Sequence, residues 1–139
     1  MNYILDTCVI SELIKKNPSP RVLKWIASVE ETSLFLSVLT FAEIHKGIEK
    51  LPDSKRKQKL HKWVNSDLKE RFKNRIIDLD LKVATKWGEI QGQAELVGRP
   101  MSLIDSLIVA TAALYDFVVV TRNTKDMDNG NVTLLNPWL

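Results

Sequence analysis

Phe117-Val118-Val119-Val120-Thr121 is the stretch whose reading decides the fold. Three consecutive valines leave no polar face, so the strand they form must be covered on both sides, as strands of a parallel sheet are. Outward from it, Tyr3-Ile4-Leu5, Leu34–Val38 and Ile76–Leu79 read as further short strands, and Val132–Leu135 as a last strand at an edge. Between them lie helical patterns over Val9–Lys16, Pro20–Val29, Phe41–Lys50, Asp53–Phe72, Leu81–Val97 and Ser102–Tyr115. Thr40 is expected to N-cap the third helix, with Glu43 at N3 completing a capping box. Parallel strands need a crossover, and helices supply it. The expected fold class is therefore α/β: a three-layer α/β/α sandwich with a small, mostly parallel central sheet. In such sheets ligands sit beyond the carboxyl ends of the strands.

The 139 residues fit a single domain, expected to span 1–139. A chain of this size buries roughly 68% of its unfolded surface, enough for its own core. Hydrophobic residues at 45% and charged residues at 27% exclude a disordered chain. No apolar run approaches the ~18 residues of a membrane span, and the first residues carry no basic leader. One cysteine makes no internal disulfide. The expected location is the cytoplasm, with no membrane association. Lys and Arg number 20 against 17 Asp and Glu, a surplus of +3 that permits an anionic partner without identifying one.

Four acids stand at strand ends or helix starts. Asp6 follows the first strand, Glu43 lies early in the third helix, Asp105 in the first turn of the Ser102 helix, and Asp126 beyond the valine strand. Each alone has an ordinary role, as a turn residue, cap or dipole-favoured acid. Together, on the one edge where a parallel sheet gathers them, they would repel and resist ionising. A divalent cation relieves that conflict. Hard oxygen donors without a His or Cys set point to Mg²⁺, with Mn²⁺ as the other candidate, rather than Zn²⁺. Such an ion activates a water and polarises a phosphoryl oxygen, which is phosphodiester hydrolysis without a protein nucleophile.

Four blocks resemble the PIN-domain nucleases, in particular the VapC and FitB toxins of bacterial toxin–antitoxin pairs. They are Tyr3-Ile4-Leu5-Asp6-Thr7-Cys8-Val9-Ile10-Ser11-Glu12, Thr40-Phe41-Ala42-Glu43-Ile44-His45-Lys46-Gly47-Ile48, Ile104 to Ala112 around Asp105, and Val118 to Asp126. The ending Leu135-Asn136-Pro137-Trp138 is similar to the FitB branch. The resemblance covers nearly the whole chain. It implies a metal-dependent endoribonuclease whose catalytic acids are Asp6, Glu43, Asp105 and Asp126. Asp6 and Asp105 would bind the metal directly, and Glu43 would complete the shell or orient the attacking water. Some members place the fourth acid where this chain has Asn123, so either Asp126 supplies it or the site works with three. Thr7 and Thr121 would hold carboxylates or a phosphate. Cys8 stands where the family usually has Asn and reads as a small buried hydrophobe. The implied partners are an RNA substrate, a second copy in a homodimer, and a cognate antitoxin of the VapB or FitA kind whose tail enters the acidic cleft.

Other residues have plainer readings. Lys55, Arg56, Lys57, Lys59 and Lys62 form either a solvated helix face or a grip on RNA phosphates. His45 and His61 are expected at the surface or in packing, and Trp25, Trp63, Trp87 and Trp138 in core or interface. A haloacid-dehalogenase-type phosphatase needs a second Asp where Cys8 stands, so that reading fails. A receiver-like Mg-binding signalling module would want a Lys ending the late strand, which ends in Thr121-Arg122, and an Asp where Ser37 sits. A PIN-fold protein that only binds a partner is the remaining alternative.

Overall fold

A computed structural model of the chain describes residues 1–128 and 131–139. Five short strands form one sheet in the order β3-β2-β1-β4-β5: β1 (Tyr3–Leu5), β2 (Leu34–Ser37), β3 (Ile76–Ile77), β4 (Val118–Val120) and β5 (Leu134–Leu135). Every pairing is parallel, with Tyr3 opposite both Leu34 and Val118. The valine run is the buried centre, as its sequence requires: Val119 and Val120 are fully buried. The chain winds outward from β1 through β2 to β3, then reverses to β4 and β5. The reversal point lies between β1 and β4, and their carboxyl ends open the crevice where sheets of this kind bind ligands.

Side-chain alternation sorts the core into two layers. Leu5, Leu34, Leu36 and Val120 face one cluster, with Val9, Ile10, Val22, Ile44, Val64 and Phe72. Ile4 and Val119 face the other, with Leu107, Ile108, Ala112 and Met127. The first layer is supplied by α1 (Thr7–Leu13), α2 (Pro20–Ser28), α3 (Val38–Glu49) and the helical run α4 (Lys55–Lys62), a π-helical turn over Trp63–Leu68, and α5 (Lys69–Arg71). The second comes from α6 (Leu81–Leu96), α7 (Leu103–Tyr115) and α8 (Thr124–Met127). This is the expected α/β/α sandwich. Burying each large aliphatic side chain contributes roughly 1.5–3 kcal/mol before entropy is counted.

Local chemistry fixes the ends that matter. Gly98 follows α6 with a φ of 72°, a conformation glycine adopts without a Cβ penalty. Ser102 N-caps α7 by accepting from the Asp105 N–H at 3.4 Å, as the sequence suggested. The capping box at Thr40 is a correction. Ser37 is the N-cap of α3, its hydroxyl accepting from the Leu39 N–H at 3.0 Å. The helix thus starts at Val38, inside the expected strand, because Leu39 and Thr40 bury when the backbone coils there. Glu43 consequently sits in the second turn, and its side chain is free for another partner.

Candidate active site

Asp6 directly ends β1 and N-caps α1, which fixes its backbone and both carboxylate oxygens. Oδ1 accepts from the Thr7 N–H at 2.8 Å, and Oδ2 accepts from the Thr121 hydroxyl at 2.7 Å. Thr121 ends β4, so this hydrogen bond closes the crevice between the two central strands. Asp6 is 4% exposed, and burial raises its pKa above the ordinary carboxylate value, with the nearby Asp105 adding to the rise. The hydrogen bonds from Thr121 and Thr7 act in the opposite direction.

Asp105 is half-buried in the first turn of α7, on the other side of the crevice. Its pKa is also raised, first by burial and then by repulsion from Asp126 and Glu43. The carboxylates expected from sequence are therefore within one another's fields, and Asp105 is the member that couples to all three others. Glu43 is held at the rim by the Thr7 hydroxyl, which donates to Oε1 at 2.5 Å. Thr7 Oγ1 also lies 3.5 Å from the buried Thr40 hydroxyl. Asp126 is exposed on the short helix α8, facing Asp105. Asn123 is the residue that caps α8. The Asp126 charge reaches the Asp105 carboxyl, and the choice between Asp126 and Asn123 for a fourth position stays open.

Cys8 is half-buried, not enclosed, and its Sγ lies 3.5 Å from Asp6 Oδ2 and 3.7 Å from the Thr121 hydroxyl. It also accepts from the Arg122 N–H at 3.5 Å. Burial pushes the thiol pKa up and the Asp6 charge adds to this, so the group stays protonated and is no nucleophile. Ser106 is equally occupied: its hydroxyl accepts from Trp87 Nε1 and donates to the Leu103 carbonyl, both at 2.8 Å.

A cleft of about 460 Å³ opens beside Asp105 and Asp126, between the α6–α7 connection and α8, with Arg99 and Lys125 on its walls. Among the described residues, no three His, Cys, Asp or Glu side chains are drawn together tightly enough to enclose an ion by themselves. The expected set of Asp6, Glu43 and Asp105 is therefore not preassembled as a three-carboxylate cage, and an ion held here would take one or two of the carboxylates and keep waters in its remaining positions. The donors present are hard oxygens, and their mutual repulsion is what a cation would relieve. The donor types, hard oxygens without a His or Cys set, match Mg²⁺ or Mn²⁺ in kind.

Glu12 is a buried, fully engaged carboxylate that pattern reading passes over. It is 4% exposed and accepts from Lys15 Nζ at 2.9 Å, the Ser19 N–H at 2.9 Å, Arg122 Nη2 at 3.2 Å and Trp138 Nε1 at 3.3 Å. Its carboxyl is held below the ordinary value, first by the Lys15 hydrogen bond. The Arg122 guanidinium lies over the Trp138 ring at 4.2 Å. This knot ties α1, the loop after β4 and the C-terminal segment together beside the acids. The one sequence signal for it is a carboxylate next to Leu13 on a helix that must bury one side.

The sequence matches the family model described as PIN domain over residues 3–129. It is 33% identical to toxin FitB of Neisseria gonorrhoeae over 97% of both chains. It is 32% identical to VapC ribonuclease Y4jK of Sinorhizobium fredii, covering 97% of this chain and 96% of that one. In three dimensions it superimposes on a chain of the FitAB complex bound to an IR36 DNA fragment with a TM-score of 0.93 and 33% identity, over 99% of this chain and 96% of that chain.

Proposed function

Because the chain belongs to the PIN-domain family, with VapC and FitB toxins as relatives, we propose that it is the ribonuclease toxin of a toxin–antitoxin pair. It hydrolyses RNA phosphodiesters at the Asp6–Asp105 crevice with a bound Mg²⁺ or Mn²⁺. The single observation that carries this is that Asp6 and Asp105 are both raised in pKa by burial, Asp6 further by the charge of Asp105, and Asp105 further by the charges of Asp126 and Glu43. A protein that left this edge without a cation would retain the repulsion for no gain.

The residues divide the work. Asp6 is immobilised by Thr7 and Thr121, so it presents a fixed oxygen geometry. Asp105 offers a second carboxylate, which Ser102 steadies both at the backbone N–H and at the side chain. Glu43 has one oxygen spent on Thr7 and the other available to accept a proton from an attacking water. Arg99, which pairs with Asp128 at 3.5 Å, and Lys125 line the adjoining cleft opposite Asp105 and Asp126, and Lys125 is the cation there to meet a phosphate. When bound, the cation lowers the pKa of a water and polarises a phosphoryl oxygen. Cys8 and Ser106 are not placed to attack, in keeping with hydrolysis by water.

Partners and location follow the same reading. An antitoxin chain of the FitA or VapB kind silences the site; the similar solved chains belong to FitAB and VapBC complexes. Leu96, Val97 and Leu103 are exposed around the α6–α7 turn and support a homodimer through that patch. Among the described residues no helix is long and apolar enough to cross a membrane, and we place the toxin in the cytoplasm with its RNA target.

The test is Asp6→Asn and Asp105→Asn, assayed for RNA cleavage with Mg²⁺ and with EDTA, and for growth arrest on expression. Each variant is expected to lose on the order of 10²–10⁴-fold in cleavage rate. Either variant cutting RNA and arresting growth as well as the parent would overturn the reading.

A further inference from the structure

The cations of this chain are not spread evenly, and one element concentrates them. The eight residues of α4 read Lys-Arg-Lys-Gln-Lys-Leu-His-Lys and contain no acid. α4 returns alongside α3, which carries Glu43. His61 stacks near His45 with ring centroids 6.4 Å apart, and Lys57 Nζ donates to the Glu49 and Leu51 carbonyls at 3.2 and 3.0 Å. The two helices are thus a hairpin whose base is at the acids and whose tip is at residues 50–55. Lys57 is structural: it satisfies orphan carbonyls at the end of α3 and pairs with Asp53 at 3.6 Å.

The remaining cations have no such duty. Lys55, Lys59 and Lys62 fall at i, i+4 and i+7, one stripe along α4, with Arg56 beside it, and all four are exposed. On α3, Lys46 and Lys50 lie at i+3 and i+7 from Glu43, on the face that carries the catalytic acid. Among the described residues no side chain of these six takes part in an ion pair or hydrogen bond. A protein partner would need an apolar anchor at the centre of its contact. No large hydrophobic side chain is exposed anywhere on α3 or α4. Cations in a row without an apolar pit fit a ligand that offers repeated charge and nothing else, which is a nucleic-acid backbone.

We propose that the α3–α4 hairpin is a phosphate-tracking arm that holds the RNA strand leading away from the catalytic acids. This rests on the ribonuclease reading and adds to it where the substrate runs. The arm is anchored by Lys57 and by Ile44, Ile48 and Val64 in the core, so its charges keep a fixed relation to Glu43. Its α4 stripe is about 12 Å long, at 1.5 Å per residue, which spans several nucleotides of backbone. A substrate too short to leave the crevice gains nothing from it.

The experiment uses the full chain with Lys55→Gln, Arg56→Gln, Lys59→Gln and Lys62→Gln together. Binding of a single-stranded RNA oligonucleotide is measured against salt in an Asp6→Asn background, so the RNA stays intact. Each phosphate contact contributes about 0.7 to the slope of log affinity against log salt for single strands, so losing four lowers the slope by about 3. Affinity at physiological salt falls at least about tenfold. With Asp6 restored, KM for long RNA rises while kcat is kept, and cleavage of a tetranucleotide is unchanged. An unaltered slope and affinity overturn the arm while leaving the ribonuclease reading in place. So does a variant that keeps RNA binding but loses capture by a co-expressed antitoxin, which would make the hairpin a protein surface. A lowered slope in a chain whose parent cuts no RNA keeps the arm and removes the nuclease reading. A parent chain that binds no RNA overturns both.

Discussion

Asp105 is where the repulsions of the site meet, and this gives it a measurable cost to the fold. Its pKa is raised from an ordinary 3.8, so the folded chain binds that proton more tightly than the unfolded chain does. Folded-state stability therefore falls as pH rises from the unfolded value through the raised one, and the loss is complete above it. Asp6 is raised by the same causes and contributes with the same sign. Asp105→Asn removes the charge while keeping the backbone N–H bond to the Ser102 hydroxyl, although the Ser102 hydrogen bond to the carboxylate is weakened. We expect the variant to melt higher than the metal-free parent at neutral pH, by on the order of 2–4 °C for each kcal/mol of relieved repulsion. The gap should close in acid, where the parent's carboxyl is protonated. Thermal melts across that pH range check it; a lower melting point at pH 7 would remove the repulsion from the account.

At the scale of elements, Ser37 decides where a strand becomes a helix. Its hydroxyl is the N-cap of α3, and loss of such a cap costs about 1 kcal/mol, with a range of roughly 0.5–2. Chemical denaturation of Ser37→Ala should show that loss. Thr40→Ala should show none attributable to a cap, because Thr40 lies inside the helix. The same element marks the limit of what the sequence could tell. The valine strand was legible because a run without polar residues admits one environment. The start of α3 was not, because Val38 and Leu39 serve a buried strand or a buried helix turn equally well, and tertiary packing chose between them. The π turn at Trp63–Leu68 was hidden for a similar reason, since Val64 and Leu68 keep the spacing of a regular helix. Asp6 and Asp105 were legible because one directly follows a strand and the other lies in the first turn of a helix, whereas Glu43 was found from a helix start that the structure moves to Ser37. Glu12 was not, because its partners Arg122 and Trp138 lie 110 and 126 residues away along the chain.

For the whole molecule, the all-parallel sheet puts every strand's carboxyl end on one edge and every crossover start with it. The cation proposed for that edge would couple stability to chemistry. A cation that binds the folded chain and not the unfolded one stabilises it by RT ln(1 + [L]/Kd), about 2.7 kcal/mol at a hundred times Kd. Titrating Mg²⁺ into the parent should raise its melting temperature progressively, and the rise should be abolished in Asp6→Asn. An identical rise in both proteins would mean the ion binds elsewhere.

The knot around Glu12 also has a practical side. Met1 emerges at the amino-terminal edge, where it lines a hollow with Asp116, Phe117 and Asn131, across the sheet from the acids. Leu139 follows Trp138, whose indole is engaged by both Glu12 and Arg122. An affinity tag or fluorescent fusion on Met1 is therefore remote from the crevice. One joined to Leu139 pulls on the segment that braces Arg122 and the loop carrying Thr121, so reporter fusions of this protein belong at the front of the chain.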